Sequence, residues 1–452
     1  ENKAYIYGAT FEDEKITWFK KLDQAADIAI LPQGAEVLEF SIETHFEIPW
    51  YNNQTYLDTM NKEAVAKFIE VTHEAYRREV GEEFGKQIPG IFTDEPNRGP
   101  FFRNFEGNRL GIPWTAELPA KFEELYGSDI IQHVPEIVFD LVDKPDNPTR
   151  YRYFCTTTRL FVESFAKQIG DWCEKNNLLA TGHVLEEHPI SNTTSIVGAA
   201  MQFYPYVQAP GIDILTQSLI EYITAKQCVS VARQTGRKWV LSELYGCTGW
   251  ETTFETYKHI GDWQAAMGIT LRCPHLSWYS MAGESKRDYP ASIHYHSPWW
   301  KQYKAVEDYF ARLAVLLSDG KPICDLAVIH PIESYYVLFD MNWMINPKIK
   351  EMDKQYEALV DGLLAEHLDF DFADEQLMLD FKAQVGNDST GAYLQIGQMK
   401  YHAVLVPQLV TIRSTTLETL KAFAQAGGKV VFAGQAPDLV DAQVSEEAKN
   451  FA

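Results

Sequence analysis

The segment Ile88-Pro-Gly-Ile-Phe-Thr-Asp-Glu-Pro96 is an apolar run that stops at two adjacent carboxylates, Asp94 and Glu95. Pro96 lacks a backbone N–H and turns the chain out of the strand at once. A second run, Lys238-Trp-Val-Leu-Ser-Glu-Leu-Tyr245, places Glu243 at another strand end. Two strand-end carboxylates suit cleavage of a glycosidic bond: one protonates the leaving oxygen, and the other activates water or attacks the sugar. The plain alternative for Asp94 is that it caps a turn.

Other residues capable of chemistry accompany this pair. In Leu178-Leu-Ala-Thr-Gly-His-Val-Leu-Glu-Glu-His188 a strand runs into His183, Glu186 and Glu187. On an extended chain the adjacent Glu186 and Glu187 face opposite sides, so one of them lines the pocket. His183 and His275, at strand ends, can donate to sugar hydroxyls, although a lone His is often only structural. The charge of Asp94 disfavours ionisation of Glu95 and so keeps its proton available. Tyr245 or His275 is the expected hydrogen-bonding neighbour of Glu243. Trp250, Trp278, Tyr279, Trp299 and Trp300 offer flat faces for sugar rings, with Trp299 and Trp300 divided between core and cleft. Glu186, Glu187 and Glu284 are the reserve carboxylates. Asp213, inside a strand, is a candidate calcium ligand, but no EF-hand loop accompanies it. The H-x-x-E-E-H run at 183–188 lies across a strand end and lacks zincin spacing, which weighs against a metal hydrolase.

Composition narrows the partners. The chain has 452 residues, with 63 acidic against 40 basic ones and a net charge of −23. That field repels phosphate backbones, and there is no basic patch to overcome it, so nucleic acid is excluded. No 18-residue apolar run is present to span a membrane. The six cysteines show no C-x-x-C or zinc-binding pattern and read as free thiols. Eleven Trp and 23 Tyr supply aromatic surface beyond ordinary packing needs.

The elements that must position these groups follow from periodicity. Residues 1–60 read as a β-rich piece, and Asn61 caps a helix running to about Phe84. From 61 to 320, strands near 89–94, 179–185, 212–215, 239–243 and 268–273 alternate with helices, which argues for parallel βαβ units. Five strands are fewer than the eight of a closed (β/α) TIM-type barrel. The chain opens on Glu1 without an initiator Met, and the expectation is that the first strands lie outside this sequence, leaving strands four to eight here. Residues 321–452 then alternate strand and helix as an open, flavodoxin-like doubly wound sheet. That region has no Gly-rich phosphate fingerprint and no nucleophile elbow, so it reads as structural or oligomerising, with no nucleotide or flavin.

Several motifs together carry a resemblance. Thr93-Asp-Glu-Pro96, Thr181-Gly-His183, Ser242-Glu-Leu-Tyr-Gly246-Cys-Thr-Gly-Trp250, Asp262-Trp263, Pro274-His275 and Ser297-Pro-Trp-Trp300 resemble bacterial glycoside hydrolases of the α-L-rhamnosidase type, family 106. The resemblance runs over roughly 50–435 and is most specific at 239–300. It implies a TIM barrel, a following flavodoxin-like domain and β-sandwich domains further on. It also implies an inverting, calcium-assisted reaction with Glu95 as general acid and Glu243 as general base. An oligosaccharide or glycoside is then the substrate, and a periplasmic or extracellular bacterial setting is expected. Related β-galactosidase-like barrels carry Asn before the acid where this chain has Asp94, so a retaining β-galactosidase-like enzyme stays open. A non-catalytic carbohydrate-binding barrel is the other alternative.

Overall fold

Residues 4–23, 25–44, 47–104, 109–142, 144–282 and 293–452 are described in the computed structural model. The first strands, β1 (Ala4–Glu12), β2 (Lys15–Leu22) and β3 (Glu36–Ser41), form an antiparallel sheet in the order β2-β1-β3. Asn61 then caps α1 (Lys62–Val71), its side chain accepting from the Ala64 N–H at 2.9 Å. The single helix expected as far as Phe84 breaks at Thr72, and α2 (His73–Val80) follows. The helical run over 148–175 is continuous but not uniform. It comprises α3 (Pro148–Phe161), a π-helical turn at Val162–Ala166 and α4 (Lys167–Lys175).

Five parallel strands carry the first unit: β4 (Gly90–Thr93), β5 (Leu179–Gly182), β6 (Ala209–Ile214), β7 (Leu241–Leu244) and β8 (Leu271–Pro274). They pair in chain order, β8-β7-β6-β5-β4, as a curled part of a barrel. Helices α5 (Ile190–Ile196), α6 (Tyr222–Thr235), α7 (Phe254–Met267) and α8 (Lys304–Ser318) alternate with them. The β1–β3 sheet stays separate, so among the described residues the N-terminal strands do not close the barrel. Among the described strands β4 pairs only with β5, and β8 only with β7. At the end of β5 the chain must be glycine: Gly182 has φ +122°, and a Cβ there would lie 1.9 Å from the Thr93 carbonyl oxygen.

The second unit is a four-stranded parallel sheet of β9 (Leu326–Ile329), β10 (Asp371–Ala373), β11 (Ala403–Val406) and β12 (Lys429–Phe432). Its order, β10-β9-β11-β12, reverses direction at β9 as doubly wound sheets do. Helices α9 (Ile332–Leu338), α10 (Pro347–Ala365) and α11 (Ser414–Gln425) accompany it. Helix α10 starts where Asn346 caps it and Pro347 occupies its first turn. An antiparallel meander at 384–401 between β10 and β11 was not expected from the pattern. The two units share apolar packing, with Phe154 of α3 stacked on Tyr336 of α9 at 5.2 Å and edge-on to Phe339.

Candidate active site

Parallel register sets the centre of the site. Asp213 on β6 lies opposite Glu243 on β7, and Glu243 lies opposite Cys273 on β8. Strands in register send such side chains to one face, so an acid row crosses the sheet near its carboxyl ends. The chain then turns sharply at several of these ends. Glu95 (φ 49°), Glu186 (φ 57°), Thr216 (φ 62°) and Tyr245 (φ 73°) all occupy the left-handed region that non-glycine residues avoid. Strained backbone of this kind concentrates where surrounding structure fixes a functional geometry.

His183 is the hub. It is fully buried, and its Nε2 lies 3.0 Å from Glu243 Oε2 and 3.5 Å from Asp94 Oδ1. The Phe92 ring meets the imidazole edge-on at 5.5 Å. Burial alone would lower the pKa of His183. The hydrogen bond to Glu243 and the charges of Glu187 and Asp213 override it and raise the value to about 9. On the other side of Glu243, His275 Nε2 stands 3.8 Å from Oε1.

Three acids of the site, Glu95, Asp213 and Glu187, are tuned upward. The Glu95 carboxyl is raised first by partial desolvation and then by Asp94, Glu243 and Glu186, with His183 opposing. Asp94, as anticipated, contributes to that shift without being its main cause. Asp213 is pushed up to about 7, chiefly by burial, and its buried Oδ1 has no hydrogen-bond partner. Glu187 is buried, its Oε1 is unpartnered, and it is held well above the usual carboxylate range by burial.

The positions of the expected residues divide. The structure brings together Asp94, Glu95, His183, Glu243 and His275, with Glu187 and Asp213 behind them. Glu186 and Glu187 do sit one out and one in, but through a left-handed turn at Glu186 rather than an extended strand. Exposed Glu186 accepts from Asn192 Nδ2 at 3.0 Å. Tyr245 does not join the site as the neighbour of Glu243. It is fully buried, donates to the Tyr257 carbonyl and accepts from Arg272 Nη2. Its positive φ turns the ring away from the strand-end face. Trp299 is drawn into an aromatic cluster with Phe254, Tyr257 and Tyr303, while Trp300 remains exposed. Trp250 is partly exposed beside His294 on the loop after β7, and half-buried Trp278 follows β8. Glu284 lies outside the described residues. Phe92 and Cys273 were not foreseen; counting register across neighbouring parallel strands would have marked Cys273.

Two groups of oxygen and nitrogen ligands share the imidazole. Asp94, Glu95 and His183 form one, and His183, Asp213 and Glu243 the other, each with its ligand atoms within 4.8 Å of one another. Calcium takes six to eight hard oxygen ligands. The orphaned Asp213 oxygen and the surplus of carboxylates fit such an ion in charge and donor type. Asp213 and Glu243 would hold it, and the bound ion would supply fixed positive charge beside the sugar hydroxyls.

The family model for α-L-rhamnosidase, glycoside hydrolase family 106, matches residues 52–451. The chain belongs to this family. A rhamnosidase structure from Novosphingobium sp. PP1Y superposes with a TM-score of 0.66 at 18% identity, over 93% of this chain and 38% of that one. The β-galactosidase of Halorubrum lacusprofundi gives 0.58 at 11% identity over 89% and 62% of the two chains, and that of Rahnella sp. R3 gives 0.55 at 12% over 85% and 56%. A protein of Formosa agariphila that carries a provisional β-glucuronidase name is 23% identical over 331 residues, covering 70% of this chain and 25% of that protein. This rhamnosidase-family chain therefore spans about a quarter of its curated relative. Among its described residues no helix is long and apolar enough to cross a membrane, and Cys155, Cys173, Cys228, Cys273 and Cys324 are free thiols.

Proposed function

We propose that the chain supplies the catalytic site of an α-L-rhamnosidase-like glycoside hydrolase, with Glu95 as general acid and Glu243 as the carboxylate that prepares water. One observation carries the reading: two acids from separate strand ends meet around one buried imidazole in different environments. Glu95 has its pKa raised, which favours the protonated form a general acid needs. Glu243 accepts a hydrogen bond from His183 and has His275 on its other side, an arrangement suited to a carboxylate that works in its charged form. An oligosaccharide or glycoside is the substrate class.

The test uses the full-length protein on aryl α-L-rhamnosides, with aryl β-galactosides and β-glucuronides as competitors. Preferential turnover of the rhamnosides is expected. Preferential turnover of either competitor, or of none, would overturn the sugar assignment. Following the anomer first released by NMR separates inversion from retention, and inversion is expected.

A further inference from the structure

The loop after β5 carries His183, Glu186 and Glu187, yet part of what holds it comes from the second sheet. Its shape is fixed by a chain of hydrogen bonds. The Glu186 carbonyl accepts from Thr193 Oγ1 at 2.7 Å, and its carboxylate accepts from Asn192 Nδ2. Both donors stand on α5, so the left-handed turn at Glu186 is set by where that helix sits. That turn sends Glu187 inward, where Gln227 of α6 donates to its carbonyl at 2.9 Å.

Helix α5 has only seven residues, too short to hold its position unaided. Its anchor is Asp353 on α10. Asp353 Oδ2 accepts from Ser191 Oγ at 2.6 Å, and Oδ1 accepts from the Ser191 N–H at 3.3 Å. Tyr335 of α9 donates to the same Oδ1 at 2.8 Å and fixes the carboxylate from behind. Ser191 is buried, so its hydroxyl has no ready substitute in water. A second link, His188 Nε2 to Glu357 Oε1 at 3.5 Å, joins the same two segments.

We propose that Asp353 is a positioning residue for the active site, through which the second sheet fixes the loop bearing His183, Glu186 and Glu187. It touches no reacting atom. It acts through Ser191, α5 and the Glu186 turn, and this gives the second unit a task in the reaction beyond structure or association. The kinetic part rests on the glycosidase reading; the part about loop order does not.

The experiment compares full-length wild type with Asp353→Ala, Ser191→Ala, the double variant and a control, Glu351→Ala, on the exposed side of α10. Amide hydrogen exchange reports loop order, and kcat and KM on the best aryl glycoside report positioning. Asp353→Ala should speed exchange in residues 186–197 while strands β4 to β8 keep their protection. It should lower kcat by about tenfold, the scale of a sub-ångström misplacement, with KM within about twofold. Ser191→Ala, the milder change, should move both readouts in the same direction, the double variant should add little to Asp353→Ala, and the control should move neither. Unchanged exchange in 186–197, a kcat loss that only tracks global unfolding, or fully additive single effects would each overturn the proposal. If wild type turns over no glycoside, the glycosidase reading fails, and the exchange measurement still decides whether Asp353 orders the loop.

Discussion

At the end of β7, Glu243 is partly open, next to a buried imidazole and facing acids from neighbouring strands. At the end of β10, Asp374 and Glu375 are also acids at the carboxyl end of a parallel strand, but both are buried. There the crevice is filled from the barrel side. Tyr151 of α3 donates to Glu333 Oε2 at 2.6 Å, and Gln202 Nε2 reaches Asp374. Arg413 lies 2.6 Å from Glu333 and donates its backbone N–H to Glu375. Burial, with Glu333 adding, raises the pKa of both Asp374 and Glu375. The two sheets thus place acids by the same topology, and what differs is access. An acid at a strand end becomes a candidate for proton work only where a substrate can reach it; where another unit covers it, the same acid becomes part of an interface.

The largest expected effect tests that distinction directly. Glu95→Gln and Glu243→Gln should each cut turnover at least 100-fold on substrates with poor leaving groups, since general acid–base groups contribute about 10²–10⁴. Glu95→Gln should be partly forgiven by an activated aryl leaving group, and Glu243→Gln should not. Glu375→Gln, the counterpart in the covered crevice, should leave kcat within about twofold. Steady-state kinetics of the three variants on matched activated and unactivated glycosides decide it. A comparable loss from Glu375→Gln would erase the contrast between open and covered ends.

Next in size is the charge at the covered end. Arg413→Met removes the guanidinium from Glu333 and leaves that buried carboxylate without its cation. Breaking a buried pair on one side costs about 3–5 kcal/mol. Urea unfolding should show the midpoint falling accordingly with an unchanged slope. A midpoint equal to wild type would mean that Glu333 is already neutral and that the crevice is not held by charge.

Much of this contrast was legible in the sequence, and some was not. The strand-end acids Glu95 and Glu243 could be found because an apolar run that stops at a carboxylate is a local signal. The alternation of strand and helix over 321–452 was legible too, since short β-branched runs bounded by turn residues are local as well. Tyr245 was misplaced, and which of Trp299 and Trp300 would turn to the core was left undecided, because an aromatic ring's direction depends on backbone φ and on packing partners far along the chain. Glu187 and Asp213 could not be ranked for a similar reason: their importance comes from burial and from register with neighbouring strands. The covering of that crevice by Gln202 on Asp374 and Tyr151 on Glu333 is made of long-range contacts that no window of sequence contains.

A smaller effect concerns calcium at the open end, where Asp213 and Glu243 would be its ligands. Calcium at about 100 times its dissociation constant stabilises a folded protein by about 2.7 kcal/mol. Calorimetry in chelator and then in millimolar calcium should show a rise in Tm for wild type that Asp213→Asn abolishes. Glu375→Gln, at the covered end, should keep the rise. If Asp213→Asn responds like wild type, the ion lies elsewhere.

The smallest effect separates the two sheets by pH. His330 follows β9 at the covered end, is fully buried between Tyr356 and Phe372, and has both ring nitrogens unpartnered. Burial pushes its pKa down to about 3, whereas His183 at the open end is raised. An unfolded histidine titrates near 6.5. As pH falls below about 6.5 the unfolded chain takes up a proton that the folded chain refuses, so stability declines until the pH reaches about 3. Above 6.5 the group contributes no pH dependence. His330→Leu removes this titration and should flatten the loss of stability between pH 7 and 4.5 by about 1–2 kcal/mol, after allowing for residual structure in the unfolded chain. Urea midpoints at the two pH values measure the slope for both proteins. Equal slopes would show that His330 is hydrated or paired in solution, and the end of β9 would then have to be regarded as open, like that of β7.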